Sequence, residues 1–281
     1  MKIGFIGTGV MGKPMAINLQ KNNHQVYAYN RSIEKTNGLQ DHNIIVCTNI
    51  IDTIIDMDII ITMVGYPKDV DSVYNIILDN ASPNTICIDM TTSSPSIASN
   101  IYLKGLSKNI FVLDAPVSGG DIGAINGTLS IMVGGDINIY NKALPILKCL
   151  GTTINYMGKA GYGQHTKMAN QIAISGCIAS LSEVYTYCKD FDLDLNNVYN
   201  AISKGAAGSW QMDNNFTKMI IDDNNPGFYI KHFIKDLKIA NEESNSKFTI
   251  LNEVIKMYEA LDLDNLGTQA ISNYYLSKKT N

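Results

Sequence analysis

Short apolar runs alternate with amphipathic stretches along the first 160 residues of the chain. The apolar runs are rich in β-branched and aromatic side chains, which is typical of strands. They predict strands over residues 2–6, 26–29, 44–47, 59–63, 85–89, 111–114, 129–133 and 153–156. Apolar positions at helical spacing predict helices over residues 10–22, 68–78, 94–106 and 137–150. This alternation predicts an α/β domain built on a mostly parallel sheet.

The pattern changes near Gly158, where several glycines precede a long helical stretch that runs to about Lys189. Only helical spacing follows, and it predicts helices over residues 195–203, 209–221, 231–244, 249–260 and 269–278. The sequence therefore predicts an α/β domain over residues 1–158 and an all-helical domain over residues 159–281, with the long helix joining them.

Composition and charge exclude several classes of protein. A hydrophobic fraction of 45% predicts a soluble chain with an ample core, and a net charge of -4 with dispersed lysines argues against nucleic-acid binding. Aspartates interrupt the most apolar stretch, residues 50–64, so no membrane span is expected. The first residues form a strand rather than a signal peptide, and the five cysteines and four histidines lack metal-ligand spacing. We expect a cytoplasmic protein with reduced thiols and no metal site.

A glycine-rich loop follows the first predicted strand. Gly7, Gly9 and Gly12 have the GxGxxG spacing, in which the glycines permit a tight turn, close approach of a pyrophosphate and close packing of helix on strand. The start of the following helix then directs free N–H groups at the phosphates. The alternative is a tight turn without a ligand. The predicted cofactor loop comprises Gly7, Thr8, Gly9, Val10, Met11 and Gly12.

The end of the second strand indicates which dinucleotide binds. NAD enzymes usually place a carboxylate there to bind the ribose 2′-hydroxyl, but this chain has Asn30, Arg31 and Ser32. Arg31 is the only arginine among 22 basic residues, and it stands where a 2′-phosphate would lie. We therefore expect NADP(H) to be preferred, with NAD(H) as the alternative. A solvated arginine without a ligand is the other interpretation.

Four segments resemble the β-hydroxyacid dehydrogenase family, which includes 3-hydroxyisobutyrate dehydrogenase, tartronate semialdehyde reductase and the glyoxylate and succinic semialdehyde reductases. In chain order they read GFIGTGVMGKPMAINL, DAPVSGG, GYGQHTKMANQ and KDLKIA. The resemblance covers essentially the whole chain. It implies an α/β Rossmann N-terminal domain plus an all-α C-terminal domain joined by a long helix, with the active site in the cleft.

The resemblance also implies roles for individual residues. Ser118, Gly119 and Gly120 would bind the substrate carboxylate through a hydroxyl and backbone N–H groups, although a β-turn alone would use the same residues. Lys167 falls on the catalytic lysine of the family. It would protonate the oxygen that receives negative charge during hydride addition.

Other residues enter the predicted site by the same resemblance. Gln171 lies one helical turn after Lys167, where many relatives have Asn, so its extra methylene affects the size of the substrate pocket. Asn170 would support the active-site helix, and Phe233 and Trp210 are candidates for the pocket wall or the core. The full set adds Gln171, Asn170 and Asp236 to the substrate side, and Met63, Val64, Thr92 and Lys235 to the cofactor side.

The expected activity is reduction of a small carboxylate-bearing aldehyde or keto acid to the hydroxy acid by hydride transfer. Alternatives are an NAD(P)-dependent 3-hydroxyisobutyrate dehydrogenase and a non-catalytic dinucleotide sensor, and such sensors usually lose the catalytic lysine. 6-Phosphogluconate dehydrogenase is disfavoured, because it holds its substrate phosphate partly by arginine and the second domain here has none. Imine reductase is disfavoured, because imine reductases typically replace the catalytic lysine and this chain keeps Lys167. We expect the helical domain to bind substrate and to form a homodimer or homotetramer.

Overall fold

A nine-stranded sheet forms the first part of the computed structural model, which describes residues 1–278. Its strands are β1 (Lys2–Ile6), β2 (Gln25–Tyr29), β3 (Ile45–Val46), β4 (Ile59–Thr62), β5 (Ile86–Asp89), β6 (Phe111–Asp114), β7 (Val117–Ser118), β8 (Leu129–Gly134) and β9 (Gly151–Gly158). The order is β3-β2-β1-β4-β5-β6-β8, and β7 and β9 also pair with β8. Only the pairings of β8 with β6 and β7 are antiparallel. The predicted mostly parallel sheet is confirmed.

Helices cover both faces of this sheet. They are α1 (Gly12–Lys21), α2 (Pro67–Asn80), α3 (Pro95–Ser107), α4 (Gly120–Asn126) and α5 (Ile137–Leu147). Side chains alternate between two cores along each central strand, so Ile59 and Ile61 pack in one core and Ile60 packs in the other. Burial on both faces explains why the strands are continuous apolar runs.

Local sequence signals account for where these helices begin. Ser94 caps α3 by accepting a hydrogen bond from Ile97 N at 3.3 Å, and Pro95 takes the first helical position. Asp136 caps α5 in the same way, because its carboxylate accepts from the backbone N–H groups of Asn138 and Ile139.

Some predicted elements differ from those observed. The helix predicted over residues 10–22 begins at Gly12, because Val10 and Met11 belong to the preceding turn. The segment predicted as one helix over residues 209–221 contains a π-turn, Met212–Phe216, followed by α8 (Thr217–Ile220). β7 and α4 were not predicted, since the glycines between them carry no helical or strand periodicity.

The chain divides into two compact units, Met1–Lys167 and the residues from Met168 onward. Helix α6 (Tyr162–Asp190) begins in the first unit and continues into the second. The other helices of the second unit are α7 (Leu195–Ile202), α8, α9 (Ile230–Glu242), α10 (Thr249–Glu259) and α11 (Asn273–Lys278). Their core is built around Phe216, Phe233 and Tyr258. Among residues 1–278, none of the helices combines the length and apolarity needed to cross a bilayer.

Candidate active site

The glycine loop joins β1 to α1 and contains three glycines with different constraints. Gly7 has φ of +100°, and a side chain there would collide with the carbonyl oxygen of Met63. A side chain at Gly12 would collide with the carbonyl oxygen of Gly7. At Gly9, by contrast, an added Cβ meets no atom within 4 Å. Packing therefore explains Gly7 and Gly12, whereas Gly9 leaves open the space that a pyrophosphate requires.

Asn30 connects this loop to the end of β2. Its side-chain Oδ1 accepts a hydrogen bond from Thr8 N at 2.9 Å, and its Nδ2 donates to the carbonyl oxygen of Ser32 at 2.9 Å. The Thr8 hydroxyl donates to the carbonyl oxygen of Lys35 at 3.2 Å. Both polar atoms of the Asn30 amide are thus engaged within the protein, where they fix the turn that carries Arg31.

Arg31 is 86% exposed and makes a surface ion pair. Its Nη1 lies 3.4 Å from Oδ1 of Asp69 in the first turn of α2. The other oxygen of Asp69 accepts a hydrogen bond from Tyr66 N at 3.1 Å, which caps the helix. Sequence reasoning missed Asp69, because it lies 38 residues after Arg31 with no motif to connect them. An anion bound at Arg31 would compete with this carboxylate.

The loops after β4 and β5 carry the other predicted cofactor residues of this unit, Met63, Val64 and Thr92. Val64 N donates to the hydroxyl of Thr91 at 3.0 Å, so the two loops are connected. Thr91 N and the Thr62 hydroxyl both donate to Oδ1 of Asp89, at 3.1 and 2.8 Å. Burial raises the pKa of Asp89 to about 6, against hydrogen bonds that lower it.

Asp114, at the end of β6, holds the start of α6. Its Oδ1 accepts from Gly161 N at 2.8 Å and its Oδ2 accepts from Gln164 N at 2.9 Å. Burial raises the pKa of Asp114, and these backbone hydrogen bonds oppose the increase. The Gln164 side chain is fully buried and bonds to the loop after β5, accepting from Ser93 N at 2.9 Å and donating to Thr91 O at 2.7 Å.

Lys167 lies on the next turn of α6 and is only 6% exposed. A buried lysine is rare, because taking an ammonium out of water is costly, and such residues are concentrated at functional sites. The helix that carries it is attached at its first turn to the ends of β5 and β6. Lys167 is therefore a buried lysine on a fixed backbone.

The segment Ser118, Gly119 and Gly120 joins β7 to α4 in the first unit. Gly119 and Gly120 have φ of +129° and +64°, which is the backbone region that glycine adopts readily. Ser118 is half-buried. The backbone therefore turns sharply directly after the serine hydroxyl.

In the second unit, a chain of polar side chains surrounds the predicted residue Asp236. Asn170 Nδ2 donates to Gln171 Oε1 at 2.8 Å, and Gln171 Nε2 donates to Asp236 Oδ2 at 2.7 Å. Lys235 Nζ forms an ion pair with Asp236 Oδ1 at a distance of 3.1 Å. Among the described residues, no donor has hydrogen-bond geometry to this buried Oδ1. Gln171 and Asp236 are each 1% exposed. The Gln171 amide thus supports a buried carboxylate, a role that the sequence had not suggested.

His232 and the two aromatic candidates also belong to the second unit. Burial lowers the pKa of His232, and the positive charge of Lys235 lowers it further. Phe233 is fully buried and packs edge-to-face on Tyr258, so it belongs to the core. Trp210 is 66% exposed.

Two family profiles together match nearly the whole chain, one in each part of it. A sequence profile for the NAD binding domain of 6-phosphogluconate dehydrogenase matches residues 2–158. A second profile, described as NAD-binding of NADP-dependent 3-hydroxyisobutyrate dehydrogenase, matches residues 161–275.

Individual relatives agree over almost the full length. An uncharacterised oxidoreductase of Bacillus subtilis is 45% identical and covers 96% of each chain. The 2-hydroxy-3-oxopropionate reductase of Escherichia coli is 34% identical, covering 88% of this chain and 85% of the relative. The solved structure of 3-hydroxyisobutyrate dehydrogenase from Mycobacterium tuberculosis with L-serine superposes with a TM-score of 0.91 at 27% identity, covering 98% of each chain. The chain therefore belongs to the β-hydroxyacid dehydrogenase family, whose members act on small hydroxy acids, and it is an NAD(P)-dependent oxidoreductase acting on CH–OH groups.

Proposed function

We propose that this enzyme reduces a small aldehyde or keto carboxylate to the corresponding hydroxy acid with NADPH. The observation that carries the proposal is the buried Lys167 on a helix tied to the loop that contains Thr92. A lysine that is buried on a fixed helix favours catalysis over a surface role. A dinucleotide sensor would not require it.

The nicotinamide cofactor supplies the hydride. Lys167 stabilises the negative charge that develops on the carbonyl oxygen and donates the proton to it from Nζ. In the oxidative direction, the neutral amine accepts that proton. The Ser118 hydroxyl and the backbone N–H groups of Gly119 and Gly120 bind the substrate carboxylate, which fixes the orientation of the reacting carbon.

The proposed NADP preference rests on the turn after β2. That turn offers no carboxylate to a ribose 2′-hydroxyl, and Arg31 is exposed and available to a 2′-phosphate. The Arg31–Asp69 pair is a weak competitor, since exposed ion pairs contribute about 0–1 kcal/mol. Arg31→Glu should lower kcat/KM for NADPH and leave that for NADH nearly unchanged. Equal kcat/KM for the two cofactors in the wild-type enzyme would refute the preference.

The proposed substrate is an aldehyde or keto acid of three or four carbons that carries one carboxylate. Two relatives bear names that fit this class, 2-hydroxy-3-oxopropionate reductase and 3-hydroxyisobutyrate dehydrogenase. The second unit contains no arginine that could bind a substrate phosphate bidentately. Within that unit, the family resemblance assigns Asn170, Gln171 and Asp236 to substrate binding and Lys235 to cofactor binding, and we propose these roles here.

A panel of aldehydes measured with both cofactors tests this function. NADPH oxidation is followed with three carboxylate-bearing aldehydes, glyoxylate, succinic semialdehyde and tartronate semialdehyde. Methylglyoxal, an aldehyde without a carboxylate, is the comparison. We expect turnover of at least one carboxylate-bearing aldehyde and a much lower kcat/KM with methylglyoxal. NADPH binding without turnover of any of them would favour the sensor.

Oxidation of 3-hydroxyisobutyrate is the second candidate, favoured by the profile that matches the second unit. It uses the same residues in the reverse direction. Reduction of NADP⁺ or NAD⁺ by 3-hydroxyisobutyrate, with a kcat/KM above that of every aldehyde in the panel, would establish it.

We also propose that the second unit mediates assembly into a homodimer or homotetramer. Tyr187 in the last turn of α6 and Phe191 directly after that helix are both more than 60% exposed, and their ring centroids lie 4.8 Å apart. Light scattering of the purified protein measures the mass. A monomer at working concentration would refute the assembly without affecting the catalytic proposal.

A further inference from the structure

We propose that Gln164 is a positioning residue for the general acid Lys167. Its side chain connects the first turn of α6 to the loop after β5, and it thereby sets the position of the lysine ammonium relative to the loop that carries Thr92. This inference rests on the proposed role of Lys167 and assigns a function to a residue that the reaction itself does not use.

Gln164 makes two hydrogen bonds to main-chain groups of one short loop. Its Oε1 accepts from Ser93 N at 2.9 Å, and its Nε2 donates to Thr91 O at 2.7 Å. The side chain has no exposure to solvent. Because both partners are backbone groups, the bonds fix the path of the chain on either side of Thr92, independently of any neighbouring rotamer.

The loop itself is connected to the adjacent strands. Thr91 donates its N–H to Asp89 at the end of β5, and its hydroxyl accepts from Val64 N after β4. Asp114 at the end of β6 anchors the same helical turn from the other side, through the N–H groups of Gly161 and Gln164. The start of α6 is therefore bonded directly to the loop after β5 and to the end of β6, and it is connected through Thr91 to the loop after β4.

Gln164 and Lys167 are three residues apart on one helix, so their side chains are neighbours on its surface. Both are buried. Displacement of the first turn therefore moves the lysine with it. General acid catalysis depends steeply on distance, and a misplacement of about 1 Å can lower the rate by about 10²-fold.

Glutamine suits this position because it provides an acceptor and a donor at the end of one side chain. An apolar side chain of similar length would leave Ser93 N and Thr91 O without partners in a buried site. Thr166, on the same turn of α6, offers a contrast, because its hydroxyl donates to Tyr162 O within its own helix at 2.7 Å. It makes no connection to the loop.

The experiment is a double-mutant cycle with Lys167. Gln164→Met, Lys167→Ala and the double variant are compared with the wild-type enzyme by kcat for the best aldehyde, NADPH dissociation constant and thermal unfolding. Gln164→Met should lower kcat by about tenfold or more. In the Lys167→Ala background the same substitution should cause almost no further loss, because the group that it positions is absent. Thr166→Val, the matched control, should keep the wild-type kcat.

Each outcome separates the two proposals. If Lys167→Ala retains the wild-type kcat, the proposed function of Lys167 fails. If Lys167→Ala loses activity but the two losses multiply, Lys167 is catalytic and only the positioning role of Gln164 is overturned. A wild-type kcat in Gln164→Met also overturns it.

A second variant guards against a folding defect. Gln164→Leu removes the same two hydrogen bonds with a different shape, and the cycle is repeated with it if Gln164→Met does not fold. If neither variant folds, the bonds serve the fold rather than the placement of the ammonium, and the positioning role is overturned. Faster amide hydrogen exchange at the start of α6 in a folded variant is the expected accompanying result.

Discussion

The two predicted site lysines are supported in different ways. In the first unit, Lys167 lies on a helix whose first turn is held by Asp114 and Gln164 through bonds to backbone groups. In the second unit, Lys235 lies beside Asp236, whose partners are side chains. A hydrogen bond to a backbone group fixes a position whatever rotamer the neighbouring side chains adopt. A series of bonds between side chains, by contrast, adjusts when any one of those side chains changes its rotamer. We therefore expect substitutions in the first network, the bonds of Asp114 and Gln164 to backbone groups, to change stability more than substitutions around Asp236.

Removal of Asp114 should have the largest effect on stability. Asp114→Ala leaves the N–H groups of Gly161 and Gln164 without partners in a buried site, which should lower the free energy of unfolding by about 3 kcal/mol. Urea denaturation measures it. Asp136→Ala is the control, since it removes a cap at the more exposed start of α5 and should cost about 1 kcal/mol. Equal losses of unfolding free energy in Asp114→Ala and Asp136→Ala would show that the bonds of Asp114 stabilise the protein no more than an ordinary helix cap.

Asp89 should make the first unit sensitive to pH. Its pKa is about 6 in the folded protein and lies near 3.8 when unfolded, so folding favours the protonated form. Its contribution to stability is present at low pH and is lost as the pH rises through 6. The stability of Asp89→Asn relative to wild type should rise by about 2 kcal/mol between about pH 4.5 and about pH 7.5. Denaturation at several pH values tests this, and a constant difference would contradict it.

Gln171→Asn probes the network of the second unit. The shorter amide cannot reach Asp236, so a buried carboxylate loses a hydrogen bond, and stability should fall by about 1–2 kcal/mol. Urea denaturation again gives the value. Ser175→Ala, one turn later on α6, removes only a bond to Ile172 O of the same helix and should cost less. A loss as large as that of Asp114→Ala would remove the contrast between the units.

Asp69→Asn should have the smallest effect. Asn keeps the acceptor for Tyr66 N but removes the charge that pairs with Arg31. The affinity for NADPH, measured by fluorescence titration, should rise by a few-fold, in line with the 0–1 kcal/mol of an exposed ion pair. The affinity for NADH should stay the same. A parallel gain for both cofactors would show that Asp69 acts on the loop rather than on Arg31.

Sequence periodicity predicted the fold class and most of the strands and helices, but not β7, α4 or the π-turn Met212–Phe216. The strands of the first unit are buried on both faces, and their apolar runs stand out against the helices between them. The glycine spacing and the four family segments indicated the cofactor loop, Ser118 and Lys167, because each of these is a local pattern.

The long-range interactions around the candidate residues of each unit could not be predicted in the same way. Gln164 bonds to residues more than 70 positions earlier, and Arg31 pairs with Asp69 across 38. The engagement of the Gln171 amide with Asp236 spans 65 positions. Such contacts follow from the assembled sheet and helices and leave no periodic trace in the sequence.

The central claim, that Lys167 is the general acid of an NADPH-dependent reduction, is tested most directly by steady-state kinetics of Lys167→Ala. NADPH binding is measured in the same samples, with Lys189→Ala at the end of the same helix as the control. We predict that kcat for the aldehyde falls by at least about 10²-fold in Lys167→Ala, while NADPH still binds and Lys189→Ala behaves as wild type. A near-wild-type kcat in Lys167→Ala would contradict the account.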